Sequence, residues 1–330
     1  MRIGRFLATL ACSVSIGAMA LSGAAVAQTT PPAANPPVAD NEIVVQAERL
    51  REMVRSFVED VSQPGKEGQL ARWDRKVCPG VIGAPTAQAQ AMIDQIAARA
   101  LNINLQIGDP GCRANILVIV TPNAASFTPA FVEQNKKLFS YFADNGNSLG
   151  QQALEEFKTT GRPVRWWHVA QTVTDRGQVL GSGGGGTPMG TGDGFGGVQV
   201  ARMSNSGRLS AGTRQDFNRA IIIIDANAVS GAPFPALVDY VAMVSLAQID
   251  PKADVSGTES ILTLFADKRD GRPLPAGLTE WDQAYLEGLY GSPRFARSTR
   301  RQEGAITDRM ERELTKPADP DAGKAEKATN

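Results

Sequence analysis

The chain has 330 residues, with 34 lysines and arginines against 34 aspartates and glutamates and a single histidine. This balance, without a clustered basic stretch, excludes the counterion-releasing surface that nucleic-acid binding needs. With one histidine, every histidine-dependent mechanism has to run through His168.

The first residues, "MRIGRFLATLACSVSIGAMALSGAAVAQ", place Arg2 and Arg5 before an apolar run of small residues, and Ala25-Val26-Ala27 forms an A-x-A site. That order is a secretory signal peptide over residues 1–27, cleaved after Ala27. An uncleaved anchor stays open, since the apolar part approaches the ~20 residues that span a bilayer. Cys12 follows Thr9-Leu10-Ala11, a poor match to a lipid-attachment box, and reads as a small residue inside the signal. Removing this segment leaves a formal charge of −2. No later stretch is apolar enough to cross a membrane. The expectation is an exported chain, periplasmic or secreted.

Residues 28–40 are rich in proline and alanine and read as a spacer. In 41–66, Ile43-Val44-Val45 suits a short strand. Leu50, Met53, Val54, Phe57 and Val61 then recur at helical spacing. An α+β domain is expected over 67–298, with a mixed sheet and helices packed on it. "RWDRKVCPGVIG" reads as a strand, "TAQAQAMIDQIAARAL" as a helix and "ANILVIV" as a buried strand. Cys78 falls on the first strand and Cys112 just before the second. In an oxidising compartment these two thiols read as one disulfide. With His168 they make a poor structural zinc site, which takes four such ligands.

Residues 128–159 read as one or two helices broken at "DNGNS", and "RPVRWWHVAQTV" as a strand. The Gly-rich stretch 181–197 reads as a surface loop. It lacks the Lys-Ser/Thr pair that a phosphate-binding loop places before its helix. "RAIIIID" gives the strongest strand, over Ala220–Asp225, and Pro233 and Pro235 introduce a helix that is apolar nearly all round. "TESILTLFAD" is a short helix. In "GLTEWDQAYLEGLYG", Thr279 and Asp282 have capping-box spacing and Gly291 ends the helix. Residues 299–330 read as a polar, largely disordered tail.

Chemistry is thinly signalled. Strand alternation puts Arg165 and Trp167 on one face, Trp166 and His168 on the other. His168 reads as a histidine packed beside a core tryptophan. The open alternative is a binding surface of Arg165, Trp166, Trp167 and His168, with indole faces for a sugar or peptide. Arg72, Arg165, Arg208, Arg214 and Arg219 are candidates to converge on an anion, or are ordinary surface arginines. No G-x-S-x-G elbow is present, and no paired carboxylates stand out.

The elements "AIIIIDA", "LVDYVAMVSLAQID", "TESILTLFAD" and "GLTEWDQAYLEGLY" resemble, in their order, secreted zinc metallopeptidase-like (zincin-like) domains, over roughly residues 70–292. In that class the second element carries H-E-x-x-H, two ligands at i and i+4 on one helix face. The resemblance places Asp239 at the first ligand position, Tyr240 at the general-base position and Met243 at the second ligand position. Tyrosine is no substitute for the carboxylate base and methionine is a poor zinc ligand, so the resemblance implies a degenerate site, a pseudoenzyme without metal or cofactor. "RWDRKVCPGVIG", "PVRWWHV" and "DYVAMVSLAQIDP" also resemble an uncharacterised family of exported alphaproteobacterial proteins, which implies location and class only. The expectation is a non-catalytic binding or assembly protein with a protein or cell-envelope ligand. Two alternatives stay open: a periplasmic hydrolase using His168 with a carboxylate, and a structural envelope component held through its terminal segments.

Overall fold

The computed structural model describes residues 40–65, 68–140, 149–180 and 210–316. The expected signal peptide, nearly all of the expected spacer, the Gly-rich stretch and "DNGNS" lie outside them. The chain divides at Ile43/Val44, and the packing described here belongs to the unit from Val44 onward.

Four strands form one mixed sheet: β1 (Pro79–Ile82), β2 (Ile116–Thr121), β3 (Val164–Thr174) and β4 (Thr213–Asp225), in the order β1-β2-β4-β3. β1, β2 and β4 run parallel, and β3 pairs antiparallel with β4 at the edge. The expected α+β class with helices on a mixed sheet is the observed one. β4 begins at Thr213, seven residues before the expected start, because its polar half "TRQDFNR" is held by β3 throughout. Asn218 is the extra residue of a bulge there: Ala170 faces Phe217 while Val169 faces Arg219.

The four isoleucines of β4 are buried on both sides of the sheet. Ile222 and Ile224 join Ile116, Val118 and Trp166 in the larger core, whereas Ile221 and Ile223 join Ile119, Trp167 and Val169 in a smaller one. A strand covered on both faces reads as a continuous apolar run. The smaller core is closed by α3 (Ala124–Gln134) and α4 (Gln151–Thr159). The larger core is closed by α1 (Asp40–Val61), α2 (Thr86–Asn102), α5 (Phe234–Leu246), α7 (Glu280–Gly291) and α8 (Thr299–Leu314). A 3₁₀ turn at Ile261–Thr263 leads into α6 (Leu264–Asp270).

α5 is the central element. Every residue from Ala236 to Leu246 is buried, and each large apolar side chain so removed from water contributes about 1.5–3 kcal/mol. α7 starts with the expected box: Thr279 Oγ1 accepts from Asp282 N at 3.2 Å, and Thr279 N donates to Asp282 Oδ2 at 2.9 Å. Among the described residues no helix is long and apolar enough to cross a membrane.

Three expectations are corrected. Ile43–Val45 opens α1 and forms no strand; Val45 is exposed, and a lone β-branched run without a neighbouring strand has nothing to pair with. Cys78 precedes β1, whose first residue is Pro79, proline being suited to a strand's first position. The charged segment after Ser298 folds as α8 up to Leu314. Ser298 caps it by accepting from Arg301 N, and Gln302, Ile306 and Met310 recur every four residues on its buried side. Gln302 grips the backbone of Leu70 in both directions, its Oε1 accepting from Leu70 N at 2.8 Å and its Nε2 donating to Leu70 O at 3.3 Å.

Candidate functional site

The residues of the expected binding surface and of the degenerate helix meet on the two sides of β3. As alternation requires, Trp166 and His168 face α5, and Arg165 and Trp167 face α3 and α4. All four are buried. Each indole N–H is used: Trp166 Nε1 donates to Ile249 O at 2.9 Å and Trp167 Nε1 to Phe139 O at 3.2 Å. Arg165 donates from one nitrogen to Ala124 O, Thr128 Oγ1 and Lys158 O at 3.0, 3.1 and 3.3 Å. Lys158 lies in the last turn of α4, where a cation is favoured by the helix dipole.

His168 Nε2 lies 2.7 Å from Val244 O. A carbonyl only accepts, so Nε2 carries the proton. Burial pushes the imidazole down to about 4, and it stays neutral near pH 7. Val244 lies in the last turn of α5, whose carbonyls have no partner within the helix. The neighbouring carbonyls are met in the same way. Met243 O accepts from Ala247 N at 3.1 Å, Ser245 O from Trp73 Nε1 at 2.9 Å, and Leu246 O from the Tyr290 hydroxyl at 2.7 Å. His168 is one of three ring side chains that together close the end of the central helix.

In the middle of α5 stands Asp239, 1% exposed. Arg99 grips both its oxygens, Nε to Oδ1 at 2.7 Å and Nη2 to Oδ2 at 2.8 Å. Gln95 Nε2 adds 2.7 Å to Oδ1, and Leu278 N adds 2.9 Å to Oδ2. Gly277 lets the chain approach this closely, since a Cβ there would meet Oδ2 at 2.5 Å. The carboxylate ties α2, α5 and the entrance to α7 together and has no side open to an ion. Tyr240 packs edge-on against Trp166 and Phe265, and burial pushes its phenol up, the opposite of what a base needs. Met243 is fully buried. Among the described residues no three His, Cys, Asp or Glu side chains come together as an ion's ligand set.

Among the described residues, an opening beside Trp166, Trp167 and His168 has a volume of about 40 Å³. That is room for a water or two, far below the 300 Å³ or more of a small-molecule pocket (order of magnitude). The stacking surface considered from the sequence is therefore not presented as one.

The arginines separate along the same lines. Arg72 is buried and bonds Leu289 O and Ser292 O at 2.8 Å each, closing the end of α7. Arg214 pairs with Asp216 at 2.9 Å and Asp74 at 2.7 Å. Arg208 lies outside the described residues. Arg72 also lines a cleft of about 580 Å³ at its outer side. Arg219 lines another, and its companions there, Arg75 and Arg113, are ones sequence reading missed. The signal was available: Arg113 directly follows Cys112, and the disulfide fixes where it sits.

That cleft, of about 650 Å³, lies where β2 and the parallel half of β4 begin. The Cys78–Cys112 disulfide, with Cα atoms 6.2 Å apart, forms part of its wall. Gly108 packs on the sulfurs, where a Cβ would meet Cys112 Sγ at 2.6 Å. The β4 bulge turns Arg219 toward the cleft, its Nε donating to Asn218 Oδ1 at 3.2 Å, and Arg75 donates to Asn218 O. Burial, Arg75 and Arg113, in that order, push the Arg219 guanidinium below its ordinary value. Comparisons of the chain with family models, with curated proteins and with solved structures return no match to any of them.

Proposed function

We propose that this chain is an exported, non-catalytic binding or assembly protein whose scaffold resembles a zincin-like domain with its catalytic positions given over to packing. The observation that carries this reading is the commitment of its chemistry-bearing side chains to the fold. Asp239 is saturated by Arg99, Gln95 and Leu278 N, and His168 is spent on the Val244 carbonyl. A hydrolytic His168 would need an orienting carboxylate and a nucleophile within reach, and its hydrogen-bond partner is a helix end instead. The disulfide supports an oxidising compartment, in keeping with the signal-like first residues.

Metal analysis of the purified chain, together with a mixed-peptide hydrolysis assay with and without chelator, tests the reading. The expected result is no zinc approaching one ion per chain and no chelator-sensitive cleavage. Stoichiometric zinc, or hydrolysis abolished by chelator or by His168→Gln, overturns it.

A further inference from the structure

We infer that the cleft between the disulfide and the β4 bulge is a binding site for a small organic polyanion carrying two or more phosphate or carboxylate groups, held by Arg75, Arg113 and Arg219. The inference rests on the binding reading above and supplies its ligand class.

Three observations support it. First, the three guanidiniums share one cleft, and among the described residues none lies within ion-pair distance of a carboxylate. Asp109 also lines the cleft, but it pairs with Lys76 there at 3.4 Å, and Asp216 pairs with Arg214 at 2.9 Å. Second, like charges are gathered here: burial, then Arg75 and Arg113, act against the charge on Arg219, while Asp216 favours the charge on Arg75. Folded proteins rarely gather like charges on positions that nothing else requires, and such local conflict concentrates at functional sites. Third, the backbone that carries them is held. The disulfide anchors Cys112 beside the exposed Arg113, the bulge sets Arg219, and Asn218 accepts from both Arg219 and Arg75. Nδ2 of Asn218 is itself anchored to Gln171 Oε1 at 3.0 Å.

Arginine suits the task, because its planar fork of N–H donors matches carboxylate and phosphate oxygens in pairs. The cleft volume fits a small molecule, and the half-buried Leu117 and Leu138 offer an apolar wall for a short carbon skeleton.

The test is titration calorimetry of the full chain with inorganic pyrophosphate and, separately, citrate, which distinguishes phosphate from carboxylate recognition. Saturable binding of at least one probe is expected. Arg219→Gln and Arg113→Gln should each weaken it about tenfold, the order of one lost charge-assisted contact. Arg300→Gln, on α8 away from the cleft, should leave it unchanged. Without any probe, Arg113→Gln should melt at a higher temperature than the parent, because a repelling charge is gone; a purely structural role predicts the reverse. No saturable heat with either probe, or binding indifferent to both cleft substitutions, overturns the site. The peptidase assay keeps the two ideas apart. Silence in both experiments removes the cleft alone, whereas chelator-sensitive hydrolysis removes the binding reading with it.

Discussion

The C-terminal end of α5 and the cleft beside the disulfide are both rich in polar groups, yet they are built on opposite principles. At the end of α5, each of the last carbonyls meets a donor, and three of those donors are the rings of His168, Trp73 and Tyr290. At the cleft, three guanidiniums line one opening, and among the described residues none of them has a carboxylate within ion-pair distance, although Asp109 lines the cleft with them. An unpaired polar group in the interior costs about 1–3 kcal/mol, so the first arrangement is what folding alone demands. The second sits on exposed and half-buried residues, where folding alone does not demand it. His168 and Asp239 are tied to the backbone and side chains around them, whereas the cleft arginines, two of which bond only to Asn218, have no carboxylate within ion-pair distance among the described residues.

The strongest way to break the contrast is to release the disulfide. Cys78 and Cys112 are separated by 34 residues, and opening a loop of that length lowers stability by about 3–4 kcal/mol in the chain-entropy model. Urea unfolding of the double Cys→Ser variant measures this. Binding of pyrophosphate or citrate should weaken in the same variant, since Arg113 loses its tether. Unchanged binding would mean that the cleft does not depend on the bond.

Asp239→Ala comes next. It leaves Arg99 without its carboxylate and strips Gln95 and Leu278 N of an acceptor. Breaking a buried pair costs about 3–5 kcal/mol; the Arg99 side chain is 30% exposed and partly regains water, so about 3 kcal/mol is expected. A variant of near-parental stability would mean that the carboxylate is kept for something other than the fold.

How much of this was legible in the sequence depends on the range of the cause. The apolar α5, the isoleucine strand, the Thr279 box and the alternation of Arg165, Trp166, Trp167 and His168 follow from local patterns, and each was readable. The polar half of β4 was not, because its strand character comes from β3 alongside it. Nor was α8: its buried stripe of Gln302, Ile306 and Met310 is narrow, and the charges around it dominate the composition. The role of Asp239 required knowing that Arg99, 140 residues away in the chain, would arrive beside it. The cleft was hidden for the same reason, since Arg75, Arg113 and Arg219 come from three separate segments.

His168 gives a pH test of the closed region. Its folded pKa of about 4 lies below the ordinary 6.5 because the ring is buried. The unfolded chain therefore takes up a proton below about pH 6.5 that the folded chain refuses until about pH 4. The contribution to stability is fully present above the higher value and is lost as the pH falls through that window. Between about pH 7.5 and pH 5 the loss is about 2 kcal/mol. His168→Gln keeps an N–H for Val244 O and should flatten this part of the profile. An equal slope in the variant would place the proton uptake on another group.

The smallest effect sharpens the comparison from within the closed region. Thr279 Oγ1 lies 2.6 Å from Glu259 O and accepts from Asp282 N, while Ser260 Oγ and Ile261 N donate to the Asp282 carboxylate at 2.5 and 2.7 Å. Thr279→Ala removes one capping hydroxyl and leaves Asp282 with donors from Ser260, Ile261 and Thr279 N, so the loss should be about 1 kcal/mol, the usual worth of a cap. Thr279→Ser should restore it. Because Trp281 and Tyr285 of α7 pack edge-on against Phe57 of α1, a frayed α7 would also loosen α1, and amide exchange in both helices reads that out. Faster exchange confined to the first turn of α7 would show that the matched donors around Asp282 hold the helix without the hydroxyl, whereas exchange spreading into α1 would show that the closed region depends on each of its small contacts.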